Sequence, residues 1–312
     1  MRRDAAVAPV IAAMLVLAVI VTFFAVWNAT AIPAMKEQAE VSHLHEVESG
    51  ILRFSSDIES AASTPNNMKL SERIPLGGGD VLFSSTKSGG TLAIQDEDEN
   101  RPYMVMEIYN RTDSGPDFTN RASFRLVNYS YRPSGNFWLD QGYVWSYGYV
   151  NVTKGTPDAT PLETPLEFST MSAVKYTLTG ALFSASSSHN PADPCNCSVV
   201  ILKGVSIKRV NSDRSMSGNG IGTLALNSTL IPTSISDVTR INMTISSPQP
   251  AFQNTLRESV NSSLNQNVLI PCRNIHLDTT PSTDSSILLT IDPGPTNVTV
   301  SRKITEILLS AH

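Results

Sequence analysis

The chain is predicted to be α+β: a long N-terminal helix, transmembrane then amphipathic, followed by a mostly antiparallel β-sandwich with one additional helix. Three observations predict it. Ala5–Trp27 is a run of 23 residues without a charge, and a helix needs about 20 apolar residues to cross a bilayer. An apolar stripe at helical spacing follows. From Met68 onward the period changes to short β-branched and aromatic runs separated by Gly- and Pro-rich turns. The expected division is 1–33 for the leader and membrane helix, 34–65 for the extracytoplasmic amphipathic helix, and 66–312 for the β-rich domain.

The first segment sets the address of the rest. A helix satisfies its own backbone hydrogen bonds, so lipid tolerates it. Secretory signal peptides have apolar cores of about 7–15 residues and small residues at the cleavage site. This core is longer and ends in Phe23, Phe24 and Trp27, aromatics of the kind that membrane interfaces favour. A retained, single-pass anchor is therefore expected. Arg2 and Arg3 precede the segment, and Lys36 behind it is followed by Glu37 and Glu40. The positive-inside rule then puts the N-terminus in the cytoplasm and residues 34–312 outside. N-x-S/T sequons agree with an extracellular domain: glycosylation is expected at Asn110, Asn128, Asn151, Asn196, Asn227, Asn242, Asn261 and Asn297, whereas Asn28 lies too close to the membrane. A net charge of −5 and only 16% charged residues provide no basic field for nucleic acid.

Asp4-Ala5-Ala6-Val7-Ala8-Pro9-Val10-Ile11 resembles the N-terminus of archaeal type IV pilin-like proteins, which carry a short charged leader, a segment of the type A-V-S-P-V-I-G and then the hydrophobic helix. Here Ala8 replaces the usual Ser, and Ala12 stands where Gly is common. The resemblance covers about the first 60 residues. It implies cleavage by a prepilin peptidase after Ala5, leaving Ala6 first, or after Asp4, leaving Ala5 first. It also implies pilin-like subunits as partners through the N-terminal helix. Pro9 suits a helix starting near Ala6, because the first turn has no use for its missing N–H.

Pro33 is expected to kink or break the helix just beyond the membrane. After it, Val41, Leu44, Val47, Ile51, Phe54, Ile58 and Ala61 recur at spacings of 3, 3, 4, 3, 4 and 3, one apolar face of a helix. Gly50 weakens that helix by about 1 kcal/mol relative to Ala and permits a close neighbour. Ser63-Thr64-Pro65-Asn66-Asn67 ends it. Strands are expected over Lys69–Ile74, Asp80–Ser84, Thr91–Gln95, Tyr103–Tyr109, Ala122–Ser130, Tyr143–Val152, Ala173–Phe183, Ser198–Arg209, Gly222–Leu226, Val238–Ser246, Ile287–Ile291 and Asn297–Leu309. Pro157, Pro161 and Pro165 mark a long loop, as does Ser186–Pro194. Ala251–Asn265 places Phe252, Leu256, Val260 and Leu264 on one helical face.

Few residues carry a chemical signature. Cys195, Cys197 and Cys272 allow one disulfide between Cys272 and either of the pair, closing a loop of roughly 75 residues, worth about 3–4 kcal/mol. They also allow three free thiols, or a Cys₃His zinc site with His276. His43 and His45, two apart, cannot share a helix face and read with Glu46 as solvated surface. Asp96–Glu99 reads as a solvated turn, and Leu76–Asp80 as a turn without the Lys-Ser/Thr of a phosphate loop. No nucleophile–base pair or cofactor motif stands out. The expectation is a non-enzymatic, membrane-anchored surface protein of pilin-like type, structural or adhesive, without a cofactor. The alternative is a tethered module reading surface glycans through Trp138, Trp145, Tyr147 and Tyr149, and, further off, an anchored hydrolase.

Overall fold

A computed structural model describes residues 7–64, 66–78, 88–96, 101–112, 115–136, 139–154, 159–161, 177–190, 193–278, 286–291 and 297–312. Helix α1 runs from Val7 to Ser63, 57 residues with Pro33 inside it, about 85 Å at 1.5 Å per residue. The break expected at Pro33 is absent. Proline costs a helix about 3 kcal/mol and removes one hydrogen bond, and the intact turns on both sides carry the helix through. Residues 10–30 are all exposed, and this part of the helix is long and apolar enough to cross a membrane.

Behind the helix comes a β-rich domain of three sheets, where a two-layer sandwich was expected. The first has the order β1 (Met68–Pro75), β12 (Ile221–Ile235), β16 (Thr299–Ala311), β10 (Asp193–Arg209), β9 (Phe183–Asn190). The second runs β11 (Ser215–Gly218), β2 (Gly89–Asp96), β5 (Val127–Ser134), β6 (Gln141–Ser146), β7 (Tyr149–Lys154), β8 (Ala159–Pro161). The third runs β14 (Ile275–Asp278), β15 (Ser286–Ile291), β13 (Val238–Ile245), β3 (Met104–Thr112), β4 (Gly115–Phe124). Every pair is antiparallel except β10 with β16, which run parallel from Val199↔Thr299 to Arg209↔Leu309. Two further helices join them where one was expected: α2 (Thr177–Leu182) and α3 (Pro250–Leu264), the latter continued by a π-helical turn over Asn265–Leu269.

Several expected elements are redrawn. Ala122–Ser130 divides at Arg125 and Leu126 into the end of β4 and the start of β5. Tyr143–Val152 is a hairpin. Tyr147 and Gly148 both take positive φ (53° and 90°), the two-residue geometry that matches strand twist. Thr177–Leu182 is helical where a strand was expected, and most of the expected Ser186–Pro194 loop belongs to β9 and β10. The Asp80–Ser84 strand lies outside the described residues. By contrast, α3 buries Phe252, Leu256, Val260 and Leu264 as its periodicity requires.

The distal half of α1 and the strands share one apolar core. Leu44, Val47, Ile51, Phe54, Ile58 and Ala61 are buried, while Val41, at the membrane side of the stripe, is 42% exposed. Gly50 is where the helix meets β1: a Cβ there would lie 3.2 Å from Ile74 Cγ1.

Candidate functional site

The residues that combine burial, polar chemistry and close geometry lie along α1. On β5 and β6, Tyr129 pairs with Trp145 and Tyr131 with Tyr143. Strand side chains alternate between faces with a period of two, so these four rings share one face and turn it to the helix. All four are essentially buried. Tyr129 stacks on Trp145 at 5.2 Å and 13°, and Phe54 meets Tyr129 edge-on at 5.3 Å and 78°, arrangements that the ring quadrupole favours.

Each ring also spends its polar atom on the helix. Tyr129 Oη donates to the Ile51 carbonyl at 3.1 Å, and Trp145 Nε1 donates to Ser55 Oγ at 2.9 Å. Tyr143 Oη lies 3.1 Å from Glu48 Oε2 and accepts from Gln141 Nε2 at 2.8 Å. Tyr131 Oη donates to the Leu76 carbonyl at 3.1 Å and lies 2.9 Å from His43 Nε2. A phenol has one proton, so His43 presents Nε2–H to Tyr131. Glu40, also buried, accepts from the Leu139 amide at 3.2 Å. Outside this column, Arg53 pairs with Glu72 across the helix–β1 seam.

Burial raises the Tyr129, Tyr131 and Tyr143 hydroxyls above the ordinary phenol value, so all three remain donors at neutral pH. Burial lowers His43, against the opposing pull of Glu46, the Leu76 carbonyl and Glu40. His43 was expected on a solvated face and is 4% exposed. The helix packs against both the first and the second sheet, so its buried arc is wider than one stripe and takes in Glu40, His43 and Ser55 as well. His45 and Glu46 are exposed as expected.

The other expected residues fall elsewhere. Cys197 and Cys272 form a disulfide 75 residues apart in sequence, with Cα atoms 5.2 Å apart. Asn274 braces it by bonding both the amide and the carbonyl of Cys197, at 3.0 and 3.1 Å. The Cys195 side chain lies outside the described residues. With two sulfurs joined, the Cys₃His site is dismantled; His276 is exposed on β14, and among the described residues no group of three His, Cys, Asp or Glu is placed to hold a metal. Trp145 and Tyr147 are buried, and Tyr149 packs against the core. Trp145 and Tyr147 are walls of the fold and offer no open stacking face; Trp138 lies outside the described residues. Asp96 pairs with Arg209 at 2.7 Å, while residues 97–99 are outside the described set, as are Ala5 and Ala6. Asn28 and Asn297 are exposed, and Asn110, Asn128, Asn151, Asn196, Asn227, Asn242 and Asn261 are half-buried.

The geometry is that of a clamp. No family model, curated protein or solved structure matches this chain. The clamp was readable in part: the helix stripe and the aromatic run Tyr143–Tyr149 are both visible in the sequence, but nothing in either announces that they face each other. The signal that does is the hydrogen-bonding tip on each ring, since buried Tyr and Trp need a partner.

Proposed function

We propose that this chain is an archaeal type IV pilin-like surface protein, anchored by α1 with its β-domain outside the cell, acting as a minor pilin or a non-assembling relative. The observation that carries the reading is the double use of one helix. Its first half is exposed and apolar, and its second half is the spine of the β-domain, so anchor and domain are a single element without a linker. The N-terminal sequence from Asp4 to Ile11, with its charged leader and early proline, supports the same reading. A plain signal anchor needs neither the leader pattern nor a helix continued into the domain core.

Mass spectrometry of the N-terminus of the membrane-extracted protein tests it. A start at Ala6 or Ala5 with the hydrophobic segment retained is expected. A start at Met1 or Arg2 refutes prepilin-type processing, and a start beyond Thr30 refutes the anchor. Orientation is tested with Ser71→Cys, at an exposed position on β1. Labelling by a membrane-impermeant maleimide in intact cells is expected; labelling only after lysis reverses the topology.

A further inference from the structure

A cleft of about 400 Å³ opens at the far end of α1, between its last residues (Ala62 and Ser63), Gly180 of α2, and Ser184, Lys203 and Thr305 on β9, β10 and β16. Its walls are small, and at Gly180 an added Cβ would meet nothing within 4 Å. Four polar side chains converge on it: Ser63, Ser184, Lys203 and Thr305. Among the described residues none of the four has a side-chain hydrogen bond or ion pair. Thr305 is only 3% exposed as a residue, and it lines the floor of the cleft with Val205, its register partner on β10. Charge points the same way. Lys203 and Lys303 are register partners on parallel strands, so they stand side by side on one face, an arrangement that repels. Neither has a carboxylate partner among the described residues. The C-terminal end of α1 contributes about half a negative charge, which leaves the two full positive charges in excess.

We propose that this cleft binds a hydroxyl-rich anion of one or two sugar rings, its charge directed to Lys203, which Lys303 adjoins in register, and its hydroxyls to Ser63, Ser184 and Thr305. The volume is at the small end of ligand sites, which run from about 300 to 1,000 Å³. Without an aromatic wall, recognition is by hydrogen bonds and charge. Carboxylate and phosphate satisfy the lysines alike, and the test separates them. The proposal does not rest on the pilin-like reading.

The test is isothermal titration of the full chain in a zwitterionic, non-glycosidic detergent at low ionic strength. The probes are a hexuronic acid dimer, a hexose 6-phosphate, an uncharged hexose dimer and inorganic phosphate. Saturable binding of at least one charged sugar is expected, about tenfold or more tighter than the uncharged dimer, and the better of the two identifies the anion. Lys203→Met is expected to weaken it about tenfold or more, and Gly180→Leu to abolish it by filling the cleft, with the melting midpoint of the free protein unchanged in both. No saturable binding of either charged sugar to the folded chain overturns the proposal. So does binding that survives both substitutions, or inorganic phosphate binding as tightly as the sugars. Lys203→Met that lowers the midpoint and leaves binding intact assigns that lysine to the helix end, which also overturns it.

Discussion

Phe54→Ala is the sharpest test of the clamp. Phe54 is 0% exposed, and Phe→Ala in a core costs about 3–5 kcal/mol, the spread reflecting how far the site collapses. Here collapse is restricted. The ring nearest the void is Tyr129, tethered through its hydroxyl to the Ile51 carbonyl and stacked on Trp145, which is itself tied to Ser55. The loss is therefore expected in the upper part of the range, about 4–5 kcal/mol, including an edge-to-face contribution of about 0.5–1.5 kcal/mol. Urea unfolding of a chain beginning at Ala34, followed by tryptophan fluorescence with unchanged m-value, measures it. Val41→Ala on the same stripe is the control: at 42% exposure it should move stability by no more than about 0.5 kcal/mol. A Phe54→Ala effect as small as the control's would refute docking of the helix within the monomer.

Three further outcomes are expected. Gly50→Val should destabilise by about 1–3 kcal/mol through overpacking against Ile74, read by the same unfolding assay, whereas Gly50→Ala should be far milder because its gain in helix propensity opposes a single 3.2 Å contact. Cys272→Ser should lower stability by about 2–4 kcal/mol, with about 4.5 kcal/mol as the chain-entropy limit for this loop; reductant should do the same to the wild-type chain and nothing to the variant. His43 should make stability fall on the acid side. Its folded pKa is below the ordinary 6.5, so above that pH both states are neutral. As pH drops through 6.5 the unfolded chain takes up a proton that the fold resists, and the loss grows until the folded pKa is reached. Between about pH 7.5 and 5, His43→Gln, which retains an N–H donor, should show the flatter profile.

What the sequence made legible followed from periodicity. Leu44 to Ala61 shows a helical face because one side of the helix is buried along its whole distal half. Phe252 to Leu264 shows the same for α3. His43 was misread because periodicity reports the apolar stripe and not the width of the buried arc, and a polar residue flanking that stripe looks solvated until a second sheet covers it. Pro33 does not break the helix, because a local penalty of about 3 kcal/mol is set against the helical turns that continue on both sides of it. The Tyr143–Val152 hairpin was hidden because Tyr147 occupies a turn position with positive φ that usually belongs to Gly, Asn or Asp. The first sheet's order was beyond reach: parallel pairing of β10 with β16 joins segments about 100 residues apart, and no local pattern encodes it. The clefted end of α1 escaped for a related reason, since Lys203, Ser184 and Thr305 are unremarkable strand residues until that pairing brings them together.

The position of β16 has a consequence for how the protein is made. It lies between β12 and β10 at the centre of its sheet, and its Ile307, Leu309 and Ala311 enter the core shared with the helix. About 235 residues separate the end of α1 from the start of β16, which at a synthesis rate of about 5–20 residues per second is on the order of tens of seconds. Throughout that interval α1 is already made, while the first sheet lacks its middle strand. The first sheet therefore closes late on the emerging chain, whereas β1, β5 and β6, which meet the α1 face from Leu44 to Ala61, are made well before it.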